Sequence, residues 1–154
     1  MLASKPTYRT TSPRQTRELA KAFLRSVTPR HRHATVIGLV GELGAGKTTF
    51  VQGAAEGLGL RVRMPSPTFL IQRNYPLPRT AAFRTLYHFD WYRIHTKREL
   101  DTTEFFRILG SSHAMVLVEW ADRIKRYLPK DAYIIHLRHG KDSHERIIKL
   151  PPMR

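Results

Sequence analysis

The eight residues Gly41-Glu42-Leu43-Gly44-Ala45-Gly46-Lys47-Thr48 match G-x-x-x-x-G-K-[ST] at every fixed position. That spacing is built for phosphate. Glycines let the backbone wrap so that successive N–H groups point inward, and a following helix presents its positive N-terminus. A lysine at position 47 can reach β- and γ-phosphates, and the Thr48 hydroxyl can sit on Mg²⁺. ATP with Mg²⁺ is therefore the expected ligand pair. The expected nucleotide-binding positions are Glu42, Leu43, Gly44, Ala45, Gly46, Lys47, Thr48 and Thr49, with Lys47 also expected to act in catalysis.

A phosphate-bound metal needs an acidic partner, commonly at the end of a hydrophobic strand. Met115-Val116-Leu117-Val118-Glu119 supplies one, so Thr48 and Glu119 are the expected metal ligands; the competing reading has Glu119 cap a following helix. Asp90, which closes Leu86-Tyr87-His88-Phe89, is the second carboxylate and the expected catalytic one. It would orient water or reach the metal through water, or else brace Arg93. His88, two residues earlier, shares Asp90's face of an extended strand and reads as a packed, hydrogen-bonded histidine. Trp120 covers the site, meets a partner, or fills the core. Arg93 and Arg146 are the arginines available for charge stabilisation, though each reads first as a surface or strand-end residue. The other histidines show no zinc spacing, and the absence of cysteine removes disulfides and thiol nucleophiles.

These residues need elements to hold them. Ser12-Pro13-Arg14-Gln15 is a helix start, with a serine N-cap, proline at the first helical position and glutamine completing a capping box. Leu19, Ala22, Phe23 and Val27 then recur at helical spacing up to Pro29. Ala34 to Val40 is a short β-rich apolar run without alternation, which predicts a strand buried on both faces. Gly41 to Lys47 is a loop, and Thr48 to Leu58 a helix ended by glycine. Phe69 to Tyr75 and Phe83 to Asp90 are strand-like and suited to antiparallel pairing across a proline-containing loop. Lys97 to Leu109 reads as one helix, and Ala114 to Val118 as a second buried strand. Ala132 to Arg138 and Arg146 to Leu150 form a closing hairpin. The fold class is α/β: a three-layer, P-loop NTPase-like sandwich with a mixed parallel and antiparallel sheet, in one domain over residues 1–154.

Lys and Arg number 27 against 12 Asp and Glu, for a net charge of +15. Such a field attracts phosphates and acidic surfaces. The excess is spread along the chain (Arg61, Arg63, Lys97, Arg98, Arg123, Lys125, Arg126), so it reads first as a solubility feature, with direct nucleic-acid contact as the alternative. The first 14 residues lack an apolar core of signal-peptide length, and no stretch approaches a membrane span. A cytoplasmic protein without membrane contact is expected.

Four segments together resemble one family, the bacterial TsaE proteins (also called YjeE), P-loop ATPases of tRNA modification. They are GELGAGKTTF at 41–50, SPTF at 66–69, YHFDWYR at 87–93 and VLVEW at 116–120. The resemblance implies a slow ATPase acting with the TsaB and TsaD proteins to form N6-threonylcarbamoyladenosine at position 37 of tRNAs reading ANN codons. In that family TsaD carries the transferase chemistry. By matching position, Lys47 would bind phosphate, Thr48 and Glu119 would bind Mg²⁺, and Asp90 would belong to the catalytic region. Ser66 and Thr68 would form the switch beside it, and Trp120 would sense conformation or partner. The charge of +15 and the 76–85 loop depart from the family's pattern. Two other readings remain: a small P-loop kinase acting on a nucleoside or metabolite, and a non-enzymatic RNA-binding module that uses nucleotide as a shape switch.

Overall fold

The computed structural model describes residues 4–152 apart from Thr68 and Thr80. Its strands are β1 (Thr7–Thr10), β2 (Thr35–Val40), β3 (Gln72–Pro76), β4 (Thr85–Asp90), β5 (Ala114–Glu119), β6 (Tyr133–His139) and β7 (Arg146–Lys149). They form one sheet in the order β1-β7-β6-β2-β5-β4-β3. The central strands β4, β5, β2 and β6 run parallel, while β3, β7 and β1 are antiparallel to their neighbours. The mixed sheet expected from the sequence is therefore present.

Strand alternation divides the core into two layers. Ile37, Leu39, Leu86, Met115 and Leu117 pack under α1 (Pro13–Ser26) and α2 (Lys47–Gly57). Val36, Phe89, Val116 and Val118 face the opposite layer, which holds α3 (Lys97–Asp101), α4 (Phe105–Leu109) and the buried Trp91. The result is the helix–sheet–helix sandwich. Continuous apolar runs in β2 and β5 follow from burial on both sides.

Several local expectations need correction. Ser12 caps α1 by accepting from Gln15 N, but Gln15 Oε1 reaches back to Thr11 N at 2.7 Å, one residue before the capping-box partner. The helix expected over Lys97 to Leu109 is two five-residue pieces. Thr102 and Thr103 donate their hydroxyls to Glu99 O and Leu100 O, and Thr103 Oγ1 accepts from Phe105 N. Side chains thereby take over backbone groups that would have continued the helix. A true capping box opens α3, between Thr96 and Glu99. β3 begins at Gln72 and not at Phe69, because Pro67 O accepts from both Leu70 N and Ile71 N in a turn. β4 likewise starts at Thr85 and not at Phe83. The sequence pattern does not reveal β1, an edge strand of polar and β-branched residues on β7.

α1 and α2 pack so closely that a Cβ on Gly53 would lie 2.5 Å from the Arg17 Cα and carbonyl oxygen. Backbone cannot yield there as a flexible side-chain tip can. Gly53→Ala is therefore expected to lower stability by roughly 1–3 kcal/mol, despite the helix propensity of alanine, worth about 1 kcal/mol. Urea midpoints at an unchanged m-value measure this; an equal or higher midpoint would show that the two helices separate freely.

Candidate nucleotide and metal site

Three strand ends assemble the site. The register pairs Asp90 on β4 with Glu119 on β5, and Glu119 with Leu39 on β2. The two carboxylates thus stand side by side, next to the strand that leads into the 41–48 loop. Alternation puts Asp90 and Glu119 on the α1–α2 face of the sheet, the face on which α2 begins.

The loop needs its glycines. Gly44 and Gly46 adopt φ of +76° and +101°, and a Cβ on Gly41 would lie 2.4 Å from Leu137 O. Phe50 N donates to Gly46 O and closes the first turn of α2. α2 starts at Lys47 and ends at Gly57, one residue earlier at each end than expected. The β6–β7 hairpin holds the loop from behind. Arg146 Nε donates to Gly44 O at 3.0 Å, its Nη1 donates to Ser143 O and Glu145 O, and His139 Nε2 lies 3.0 Å from Leu43 O. Arg146 therefore acts on the loop's main chain. Its sequence context identified it only as a strand end, since a contact 102 residues apart leaves no local signal.

A cavity of about 490 Å³ opens at this point. Of the eight expected nucleotide-binding residues, Leu43, Gly44, Gly46, Lys47, Thr48 and Thr49 line it, together with Asp90, Glu119, Ser66, Tyr92 and Trp120. Glu42 and Ala45 do not. The Glu42 side chain is exposed, Ala45 is buried in the core, and the Ala45 amide donates to Glu42 O.

Lys47 is only 6% exposed. Its ammonium donates to Glu42 O at 2.8 Å and to Gly41 O, and lies 3.9 Å from the centroid of the Trp120 ring. Burial pushes its pKa down, and the fields of Glu119 and Asp90 oppose that shift. Trp120 carries φ of +58°, a conformation that costs about 1–3 kcal/mol and turns the indole over the site. Trp120 thus lines the cavity and also packs against the α3–α4 core layer, which joins two of its three readings.

Both carboxylates are buried. Asp90 Oδ1 accepts from Tyr92 N at 2.8 Å, and Ser66 Oγ donates to Asp90 Oδ2 at 3.0 Å and lies 3.4 Å from Glu119 Oε2. Ser66 thereby bridges the two; Thr68, its expected companion in the switch, lies outside the described residues. The Glu119 side chain points into this cluster and does not cap a helix. The guanidinium of Arg93 lies 5.0 Å from the centroid of the Phe69 ring. His88 is packed as expected, with Nε2 3.6 Å from Glu119 Oε1. Among the described residues, however, neither ring nitrogen has a hydrogen-bond partner, and neither does Glu119 Oε1. Expectation and structure differ here.

Comparison with known proteins decides the family. Residues 10–148 match the family model described as "Threonylcarbamoyl adenosine biosynthesis protein TsaE". The chain belongs to the TsaE family. A Bacillus subtilis relative named "tRNA threonylcarbamoyladenosine biosynthesis protein TsaE" is 39% identical over 90% of this chain and 81% of its own length. A Treponema pallidum relative of the same name is 35% identical, over 73% of this chain and 79% of its own. The crystal structure of YdiB from Bacillus subtilis superimposes with a TM-score of 0.73 at 30% identity, covering 100% of this chain and 89% of the other. The family's α/β fold is thus shared over the whole of the present chain.

The buried lysine sets a pH test. In an unfolded chain lysine titrates near about 10.4, whereas Lys47 in the fold releases its proton at lower pH. Between these values the unfolded chain binds more protons, so stability rises with pH through that window. Below it the cost of the buried ammonium is fully present, and above it that cost is gone. Wild type is therefore expected to gain stability relative to Lys47→Met as pH is raised from about 7.5 to about 10, read from urea midpoints. A constant difference would mean that the ammonium is not desolvated.

Proposed function

We propose that this chain is a Mg²⁺-dependent ATPase subunit of the machinery that forms N6-threonylcarbamoyladenosine in tRNA, acting with the TsaB and TsaD proteins. One observation carries the reading: Lys47, Thr48, Asp90 and Glu119 line a single cavity at the mouth of a glycine loop. Family membership supplies the pathway.

The residues fit both ligands. Loop amides and the Lys47 ammonium suit the β- and γ-phosphates of ATP. Mg²⁺ takes one or two carboxylates and fills its remaining positions with water and phosphate oxygens. Thr48 and Glu119 would hold it, and the buried, unpartnered Glu119 Oε1 is an acceptor suited to such a cation. Among the described residues no three His, Cys, Asp or Glu side chains group into an all-protein metal cage, which favours an ion shared with phosphate. The bound ion would neutralise charge on the phosphate oxygens. Asp90, fixed by Tyr92 N and Ser66 Oγ, would orient the attacking water and take up its proton.

Hydrolysis would be slow in the isolated chain. A missing arginine finger costs on the order of 10³ to 10⁵ in rate. Arg146 is engaged with main-chain carbonyls behind the loop, and Arg93 lies over Phe69. A partner docked over this face would supply the missing charge. Leu43 on the cavity rim is 79% exposed and offers it an apolar contact.

Thr48→Ala and Glu119→Gln are expected to weaken ATP binding with Mg²⁺ present and to change it little in EDTA; calorimetry showing equal losses in both would remove them as ligands. Asp90→Asn is expected to lower turnover by a factor of about 10² or more while leaving the ATP dissociation constant within a few-fold. Phosphate release by the variant at the wild-type rate would return Asp90 to a structural role. Mass spectrometry of nucleosides incubated with ATP and the protein tests the kinase alternative, for which a phosphorylated acceptor is the decisive product.

A further inference from the structure

A second cavity lies away from the candidate nucleotide site. It has a volume of about 800 Å³ and shares no lining residue with the cavity around Lys47. Its walls are α1, the C-terminal half of α2, and the segment from Gly59 to Met64. Four cations line it: Arg17, Lys21, Arg61 and Arg63. Glu56 is the one acidic residue among its described lining.

The charge extends along α1. Arg14, Arg17, Lys21 and Arg25 recur at spacings of three and four, which places them on one helical face. Eleven residues of helix span about 16 Å. Lys21 pairs with Glu18 and Glu56 at 2.9 Å each, and Arg17 approaches Glu56 at 3.8 Å. Among the described residues, Arg14, Arg25, Arg61 and Arg63 enter no ion pair, and all four are exposed. Two acids therefore hold two cations in place, while Arg61 and Arg63 face solvent in the groove and Arg14 and Arg25 do so farther along α1.

The lining also says what kind of partner fits. A protein partner normally anchors through aromatic or large apolar side chains in a desolvated pocket. Among the described residues no aromatic side chain lines this groove, Leu60 and Met64 are buried beneath it, and Val62 is the one exposed large apolar side chain in its lining. Base reading needs stacking platforms or bidentate edge contacts, and the same lining lacks the first. A row of solvated arginines with a glutamine suits phosphodiester groups, which are contacted without regard to sequence.

We infer that the groove between α1, α2 and the Gly59–Met64 segment is a binding site for the sugar–phosphate backbone of RNA. Arg61 and Arg63 are the principal phosphate ligands, and Arg14 and Arg25 extend the track. The choice of tRNA as the RNA rests on the proposed role in tRNA modification; the groove itself does not depend on ATP hydrolysis.

The test is fluorescence anisotropy of a labelled, unmodified tRNA transcript titrated with the full chain across a salt series. Wild type is expected to bind with an affinity that falls steeply with salt. Arg61→Ser/Arg63→Ser is expected to weaken binding about tenfold near 0.1 M salt, and to shrink the salt slope by roughly 0.7 to 0.9 for each arginine removed. Glu56→Gln removes the groove's acidic residue, frees Arg17 and leaves Lys21 paired with Glu18 alone; it is expected to tighten binding about threefold, a gain that misfolding cannot mimic. ATP dissociation constants measured on the same samples are expected to stay unchanged in all three proteins, which separates failure of this site from failure of the nucleotide reading. Absence of wild-type binding at 0.1 M salt, or an unaltered slope in the double variant, overturns the inference. So does a double variant that keeps tRNA affinity and loses affinity for purified TsaB and TsaD, since the face would then be a protein dock.

Discussion

Everything at the candidate site depends on the parallel register of β4, β5 and β2. Parallel strands bring their carboxyl ends to the same edge of the sheet, and ligands in open α/β sheets collect there. The pairing of Asp90 with Glu119, and of Glu119 with Leu39, converts residues far apart in sequence into neighbours within a few ångströms. A slip of one residue in β5 would turn Glu119 to the opposite face and bury it in the apolar layer of Val36 and Phe89. The apolar runs on both sides of the sheet therefore do more than fill a core. They fix the register on which the carboxylate pair depends.

That pair sits inside a strongly cationic protein. Two buried carboxylates, a buried lysine and a bridging serine form a compact cluster in which each charge faces an opposite one. The lysine's desolvation is opposed in part by Glu119 and Asp90, and the Trp120 ring lies against the ammonium. Elsewhere the excess of cations is solvent-facing, and α1 uses acids sparingly. Glu18 and Glu56 tie down Lys21 and Arg17, whose aliphatic stems then cover the helix pair. The same chain thus keeps an interior site of two carboxylates and one lysine, and an outer face with an excess of cations.

Much of this is legible in the sequence, because its signals are local. The glycine loop, the buried runs of β2 and β5, the carboxylates that end β4 and β5, and the N-cap at Ser12 each occupy a short stretch of chain. What is not legible there is assembled by tertiary contact. Arg146 on Gly44 and His139 on Leu43 join positions about a hundred residues apart. Ser66 gains its bridging position only when three separate segments meet. The break between α3 and α4 lies in the sequence as Thr102-Thr103, yet no glycine or proline marks it between Lys97 and Leu109, so the stretch reads as one helix. Arg61 and Arg63 look like part of a diffuse excess until folding sets them opposite Arg17 and Lys21.

Both non-glycine residues of positive φ among those described touch one edge of the sheet. Trp120 and Ile71 are the non-glycine residues with positive φ among those described, and β-branched Ile71 is the more costly for its type. Trp120 directly follows Glu119, and Ile71 O accepts from Asp90 N. His88 and Glu119 Oε1, both buried, add polar atoms without partners among the described residues. Strained backbone and unsatisfied polar groups each cost on the order of 1–3 kcal/mol. The strained residues, His88 and Glu119 lie beside the carboxylates and the lysine, whereas two further buried atoms without hydrogen-bond partners, the Tyr75 hydroxyl and Trp91 Nε1, sit in the two core layers. The closely packed α1–α2 layer supplies stability that offsets these costs. Strain of this kind collects where a fold holds side chains in positions that local preference would not choose, and here those side chains are Asp90, Glu119 and Trp120.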